Sequence, residues 1–394
     1  MTPRERVNAA VAHRAPDRTP VDFLAVPEIW QALMEELRLA GAAGSAARAL
    51  DQSVYVDPAW DAVLRALEVD CRVLSYDQFC APPAGVFGEG VPEWWDVMSR
   101  STPARMWRWK RPDGTARDIF GRSFKVQRNA AGAYEENQPV LGDAQSVEDL
   151  RRHPWPQPDW WDWSGVPAAV SAMNAGTQYH VRFRAGSVFE VAWQLRGLDL
   201  FMMDMALQPE IPRYIMERLT EVIVENIHRA LSQAARAGDA VDMVYFYDDV
   251  AAASSLLVSE QMWDQVIRPF HQAVISAARA HGKQVMYHSD GALRPLIPRL
   301  VDMGVNVLNP LQPSASGMEP AGLKKDFGGK LAFHGGIDIV RLLPRGTPEE
   351  VVAEAKRLVR ELGAGGGYVL ASSHHIQADT PLANVRALYD TSIR

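Results

Sequence analysis

Cysteine is nearly missing: Cys71 and Cys80 are the only two in 394 residues. Two thiols cannot build the disulfide framework of a secreted scaffold, and their nine-residue offset fits no standard zinc pair. No apolar run approaches the roughly 18 residues that a membrane span needs. Nor is there an excess of positive charge, since 41 Lys and Arg face 48 Asp and Glu, for a net charge of −7. That sign repels phosphate backbones and acidic membrane surfaces, which argues against nucleic acid or a membrane as partner. The opening Met1-Thr2-Pro3-Arg4-Glu5-Arg6 lacks the apolar core of a signal peptide. These absences together lead us to expect a protein of the reducing cytoplasm. Apolar residues at 47% and charged residues at 23% are ordinary globular usage and exclude a largely disordered chain. The length admits two or three domains of about 150 residues, or one (β/α)8 barrel with insertions spanning 1–394. The composition leaves the oligomeric state open, a homodimer included.

Thr2-Pro3-x-Glu5 is a capping-box pattern that predicts a helix through roughly His13, broken by Pro16 to Pro20. Val21 to Leu24 reads as a short strand, Glu28 to about Leu50 as a helix, Asp61 to Glu68 as another helix, and Cys71 to Leu74 as a strand. Gly41 to Ala47 is Ala/Gly-rich and reads as a loose turn. Residues 85–145 look different. Trp94, Trp95, Trp107 and Trp109 alternate with Arg and Lys, and Asp113-Gly114 is a strong hairpin signal. This stretch is read as an antiparallel insertion that serves as a lid or docking surface, or packs onto the main fold through its tryptophans. The blander packing reading is favoured. His153 to Pro158 is a stiff connector.

From residue 160 strands and helices alternate. Strand-like runs are 180–184, 243–247, 285–288, 305–308, 331–333 and 368–370, separated by amphipathic segments such as 208–237, 260–281 and 347–362. Such alternation implies βαβ units and a parallel sheet. With the strands near 21 and 71 the count reaches about eight, the number of a closed barrel.

In such a barrel the chemistry gathers at the carboxyl ends of the strands. Asp22 lies in the first strand. Arg184 and Ser187 follow the third, with Phe189 and Glu190 just beyond. Tyr247 ends the fourth, with Asp248 and Asp249 after it. His288 and Asp290 follow the fifth, Asn309 and Gln312 the sixth, His334 and Asp338 the seventh, and His374 and His375 the eighth. Four of the ten histidines fall in these windows, where chance would put about one. Any one of these residues has a structural explanation, as a helix cap, strand stop or hydrogen-bonded core group. Taken together they mark a site. His288-x-Asp290 with His374 supplies two imidazoles and a carboxylate, a donor set that suits a catalytic divalent metal with an open position, zinc among them. Asp248, Asp249, Glu190 and His375 are alternative third ligands.

The same residues resemble the uroporphyrinogen decarboxylase superfamily, in particular its methyltransferase-like branch. The marks are His281-Gly282-Lys283, Tyr287-His288-Ser289-Asp290-Gly291, Leu308-Asn309-Pro310-Leu311-Gln312, His334-Gly335-Gly336-Ile337-Asp338 and the run from Gly367 to Pro381. The resemblance implies a single (β/α)8 barrel with its site at the carboxyl face. True porphyrinogen decarboxylases carry a Gln-Ala-Gly-Arg-like segment after the first strand. Here Phe23-Leu24-Ala25-Val26-Pro27 has no arginine, which argues against a tetracarboxylate. Near the strand ends the positive groups are chiefly Arg182, Arg184 and Arg196. In the thiol-methylating zinc enzymes of the other branch a His-x-Cys pair and a later Cys hold the metal. Here Asp290 and His374 stand at or near the two Cys positions, making a harder Lewis acid suited to an ether or hydroxyl oxygen.

The leading expectation is thus a corrinoid-linked methyltransferase of O-demethylase type. His288, Asp290 and His374 would hold the metal. Asp248 or Asp249 would orient the ligands or the substrate, and Phe189 and Tyr247 would line an apolar pocket. Arg184, Asn309, His334 and His375 complete the expected substrate-binding set. No Asp-x-His-x-x-Gly corrinoid signature occurs, so the corrinoid would arrive on a partner protein and the methyl donor as a small molecule. One rival is a metal-free decarboxylase or lyase with Asp22 as proton relay and Arg184 binding a carboxylate. The other is a non-catalytic barrel that binds a ligand or a corrinoid protein.

Overall fold

In a computed structural model, residues 1–38, 58–95, 106–129 and 132–393 are described. The elements in chain order are β1 (Cys71–Ser75), then five antiparallel strands, β2 (Val91–Trp95), β3 (Met106–Lys110), β4 (Ala116–Arg117), β5 (Ser123–Asn129) and β6 (Gly132–Gln138). They are followed by β7 (His180–Gly186), β8 (Met243–Tyr247), β9 (Gln284–His288), β10 (Val307–Leu311), β11 (Ala332–Ile337) and β12 (Tyr368–Ser372). The parallel strands pair in the order β1-β7-β8-β9-β10-β11-β12, and β2 to β6 form a separate sheet.

The parallel sheet curls into a barrel because residues 20–26 bridge its edges. Asp22 N donates to Leu370 O at 3.0 Å on the β12 side, and Asp70 N donates to Val21 O at 3.0 Å on the β1 side. The eighth position is therefore filled by two isolated parallel bridges, Val21 to Leu370 and Ala25 to Ile376, where the sequence predicts a short strand. The helices between the strands run where amphipathic periodicity put them, among them Glu210–Arg236, Arg268–Ala280 and Pro348–Gly363.

The first helix, Pro3–Val11, has the capping box expected of Thr2 and Glu5. Its Val7 and Val11 pack with Cys71, Met243, Met286, Val307, Ala332 and Val369 in one buried cluster. Four of these are the first residues of their strands, so the apolar plug closes the amino-terminal end of the barrel. Polar side chains further along the strands are left facing the opposite, carboxyl end.

Several boundaries differ from expectation. The helix expected from Glu28 to about Leu50 is observed over Pro27–Glu36, and the turn expected at 41–47 lies outside the described residues. β10 and β11 run past the expected stops, so Asn309 sits inside a strand, and so do Gly335 and Gly336 at φ +103° and +102°. A Cβ at Gly335 would lie 3.2 Å from Ser372 O and 3.3 Å from Leu311 N. The two glycines therefore permit a twisted, tightly packed strand where a turn was the simple reading.

The antiparallel sheet is as expected, with Lys110 opposite Ala116 across the Asp113-Gly114 turn. Trp107 and Trp109 are buried in the same hydrophobic cluster as the barrel, stacked 6.3 Å apart, and Phe87 bridges them to Trp160. Packing onto the main fold is what those two tryptophans do.

Candidate metal centre at the barrel mouth

β8 and β9 lie in register, Tyr247 beside His288. The chain turns sharply after each, and Gly291 makes the second turn feasible. At φ +88° it would place a Cβ 2.5 Å from Ala252 O, so no larger residue fits. Asp290 N donates to Asp249 Oδ1 at 2.8 Å, and Gly291 N donates to Gln312 Oε1 at 2.7 Å. The loop after β12 brings in His374 and His375 from the other side.

His288, Asp290 and His374 converge, each offering a ligand atom within 4.8 Å of the other two. Asp290 Oδ2 is 3.6 Å from His374 Nε2, while Asp290 Oδ1 is buried with no hydrogen-bond partner. A buried carboxylate oxygen without a donor is costly, and a cation would satisfy it. Zinc held at about 2.0 to 2.1 Å from each atom needs them about 3.4 Å apart, so loading would tighten the cluster. Asp249 Oδ1 stands 3.8 Å from His288 Nε2 and is the nearest further carboxylate. His375 Nδ1 lies 3.1 Å from His374 Nδ1, on the side of that ring away from Asp290. The donor set thus fits a divalent metal.

Electrostatics support the same picture. Burial pulls the His288 pKa down, but the Asp290 and Asp249 carboxylates outweigh it and the net shift is upward. Burial lowers His374, against the pull of Asp290. Burial raises Asp249 and also Glu190, which is pushed up to about 7 with the Asp249 charge adding to the effect. Negative charge is crowded at the mouth, and a cation relieves that crowding.

Beside the cluster opens a cavity of about 300 Å³. Arg184, Tyr247, Asn309, His334 and His375 line it as expected, together with Glu190, Asp249, His288 and His374. Tyr245, Met286, Leu24 and Val73 add apolar wall, and Arg182 completes the lining. Arg184 donates to the Tyr247 hydroxyl at 2.8 Å and lies 4.4 Å from its ring. A second chamber of about 150 Å³ shares Arg184, Glu190 and Tyr247 and runs under the inserted sheet, against Trp107, Arg122 and Phe124. The tryptophan-rich stretch gave no signal that one of its faces would become a pocket wall. Only the closure of that sheet over the barrel mouth reveals it.

Three expected site residues lie elsewhere. Asp248 is fully buried, accepting from Ser187 Oγ, from the N–H groups of Val188, Phe189 and Glu190, and pairing with His271 at 2.8 Å. Its oxygens are occupied in pinning the start of helix Phe189–Arg196, so Asp248 is neither a ligand nor a group facing the cavity. Phe189 is likewise buried, 5.7 Å from the Phe201 ring, and lines no part of the pocket. Asp22 sits fully buried below the cavity, ion-paired with Arg182 and 2.8 Å from His334 Nε2. The partner of Asp248, His271, lies mid-helix, where nothing in the sequence distinguishes it.

A family model described as uroporphyrinogen decarboxylase (URO-D) matches residues 134–393. No curated protein sequence matches the chain. Among solved structures, the chain is similar to a methyltransferase from Methanosarcina mazei, with 17% identity and a TM-score of 0.64 over 98% of this chain and 97% of that one. Xylanase B from Clostridium stercorarium F9 matches at 14% identity and a TM-score of 0.34, covering 54% of this chain and 73% of that one. The first likeness is one of fold along nearly the whole length, and the second is too slight to bear on either fold or function.

Proposed function

The chain belongs to the uroporphyrinogen decarboxylase family, and from that premise we propose that it is a metal-dependent methyltransferase of O-demethylase type. Its substrate is a small methoxylated compound, and its methyl acceptor is a corrinoid on a partner protein. The observation that carries the reading is the convergence of His288, Asp290 and His374, with one Asp290 oxygen buried and unsatisfied. The fold of the Methanosarcina mazei methyltransferase, shared over 98% of this chain, is consistent with it.

In this reading His288, Asp290 and His374 hold a divalent cation, zinc being the best match to two imidazoles and a carboxylate. Bound there, such an ion supplies Lewis-acid stabilisation of negative charge developing on an ether oxygen. The chain's own side chains do the rest. Tyr245, Tyr247, Met286 and Leu24 give the substrate an apolar bed that keeps bulk water away from the reacting carbon. Arg184, held by the Tyr247 hydroxyl, presents a fixed positive charge to whatever polar group the substrate carries. Glu190, with a pKa near 7, can give a proton to the departing oxygen. The methyl carbon leaves that oxygen with both bonding electrons staying behind, and a Co(I) corrinoid supplies the new pair.

The metal-free lyase is the weaker reading, because Asp22, its expected proton relay, is buried against Arg182 and His334 beneath the cavity. The test is a methyl-transfer assay with reduced cobalamin and a panel of methoxylated aromatic and aliphatic compounds, with and without chelator. Methylcobalamin formation abolished by chelation supports the proposal. Chelator-resistant CO₂ release from a carboxylated substrate contradicts it.

A further inference from the structure

From His288 a file of polar side chains runs down through the barrel to the ion pair at the cavity floor. His288 Nδ1 lies 2.6 Å from Asn309 Oδ1, and Asn309 Nδ2 lies 2.6 Å from His334 Nδ1. His334 Nε2 lies 2.8 Å from Asp22 Oδ2, which also takes Arg182 Nη2. β9, β10, β11 and the 20–26 segment contribute one residue each, and β7 contributes Arg182. All four below His288 are nearly or wholly buried, at 4% exposure for Asn309 and Arg182, 1% for His334 and 0% for Asp22.

The direction of every hydrogen bond follows from the bottom of the file. Asp22 beside Arg182 is a carboxylate and can only accept, so His334 Nε2 must carry the proton between them. Burial beside the Arg182 charge keeps that imidazole neutral, so its Nδ1 is a bare lone pair. A lone pair at 2.6 Å demands a donor, which fixes the Asn309 amide with its nitrogen toward His334 and its oxygen toward His288. The opposite amide orientation would set the Asn309 oxygen against the His334 lone pair. With the oxygen toward His288, Nδ1 of that ring must donate, and Nε2 is left bare on the side of Asp249 and the metal cluster. A ligating histidine commonly has its orientation set through the hydrogen bond of its other nitrogen.

We propose that Asn309 and His334 are positioning residues that lock His288 as the Nδ1–H tautomer and so aim its Nε2 at the metal site, with the Asp22–Arg182 pair as the anchor. The proposal builds on the metal-site reading above, but its core concerns the proton on one nitrogen and can be measured without metal. Histidine-selective ¹⁵N NMR of the metal-free full-length protein, with His288 assigned through His288→Gln, reports that proton directly. Zinc affinity by chelator competition is the second readout.

The wild-type protein is expected to show His288 protonated on Nδ1 and bare on Nε2 at pH values where the ring is neutral. Asn309→Leu removes the acceptor, and the ring should shift toward the Nε2–H form with zinc affinity down about 10- to 100-fold. Asn309→Asp keeps an acceptor facing His288 and should retain both the tautomer and zinc affinity within a few-fold. His334→Phe, which frees the amide to turn, should fall between them. Wild-type His288 carrying its proton on Nε2 overturns the proposal. So does Asn309→Leu binding zinc as tightly as wild type. If Asn309→Leu does not fold, the wild-type tautomer and Asn309→Asp still decide the matter. A wild-type protein with the expected tautomer and no zinc binding leaves the file standing and refutes the metal reading alone.

Discussion

Asp248 and Asp249 are neighbours in sequence with opposite fates. Asp249 faces the cavity at 3.8 Å from His288, whereas Asp248 turns the other way and accepts hydrogen bonds from one hydroxyl, three backbone amides and, in pairing with His271, an imidazole. The sequence shows two carboxylates past a strand end, but which of them points inward depends on where the strand stops pairing, and that is set by β9. Asp248→Asn is expected to cost about 3 kcal/mol of unfolding free energy in urea, since a buried charged acceptor is lost while its donors remain. Asp249→Asn should leave stability within about 0.5 kcal/mol while weakening zinc binding; equal stability losses at both positions would contradict this division. His180, at the amino-terminal end of β7, gives a pH signature. It is fully buried, neither ring nitrogen has a hydrogen-bond partner, and burial pulls its pKa from 6.5 to about 4. Below pH 6.5 the unfolded chain takes up a proton there that the folded chain refuses. Its contribution is therefore fully present above pH 6.5 and is lost as pH falls toward 4, by on the order of 3 kcal/mol. Urea titrations at pH 7 and pH 4.5 should show His180→Leu with a flatter dependence than wild type.

Among the elements, those with a clean period were legible. β8 runs over the expected 243–247, and helices Glu210–Arg236 and Pro348–Gly363 fall within two residues of the expected segments. What misled was glycine and proline punctuation. Asn309-Pro310 and Gly335-Gly336 read as stops but lie within β10 and β11, where neighbouring backbone crowds the positions that a Cβ would occupy. That crowding is a tertiary fact that no local window contains. The inserted sheet was legible as a sheet from Asp113-Gly114, whereas its role in roofing the second chamber was not. Trp107 is 4% exposed within the shared core, and Trp107→Ala should cost about 3 to 5 kcal/mol. Differential scanning calorimetry would check this. A loss below 1 kcal/mol would mean that the sheet is only loosely docked.

For the whole molecule, the barrel was readable because eight strand-like runs separated by amphipathic helices admit few other closures. The site was readable in part, because a parallel barrel delivers every strand's carboxyl end to one face. His288 and His374 are 86 positions apart in sequence, yet β9 and β12 place their ring centroids 6.0 Å apart. Among the described residues no helix is long and apolar enough to cross a membrane. The organisation that results is an apolar plug at one end, a buried ion pair at mid-depth, and a crowded acidic mouth with two imidazoles at the other. Each layer supports the next, and the mouth alone has the donors to hold a cation. The most direct test is therefore metal stoichiometry and affinity of the purified full-length chain, by elemental analysis and zinc titration, for wild type, Asp290→Ala and His374→Ala. One zinc per wild-type chain, with affinity lost in both variants while the fold is kept, is the expected result. A wild-type chain that takes up no divalent ion, or variants that bind zinc as tightly as wild type, would contradict the account.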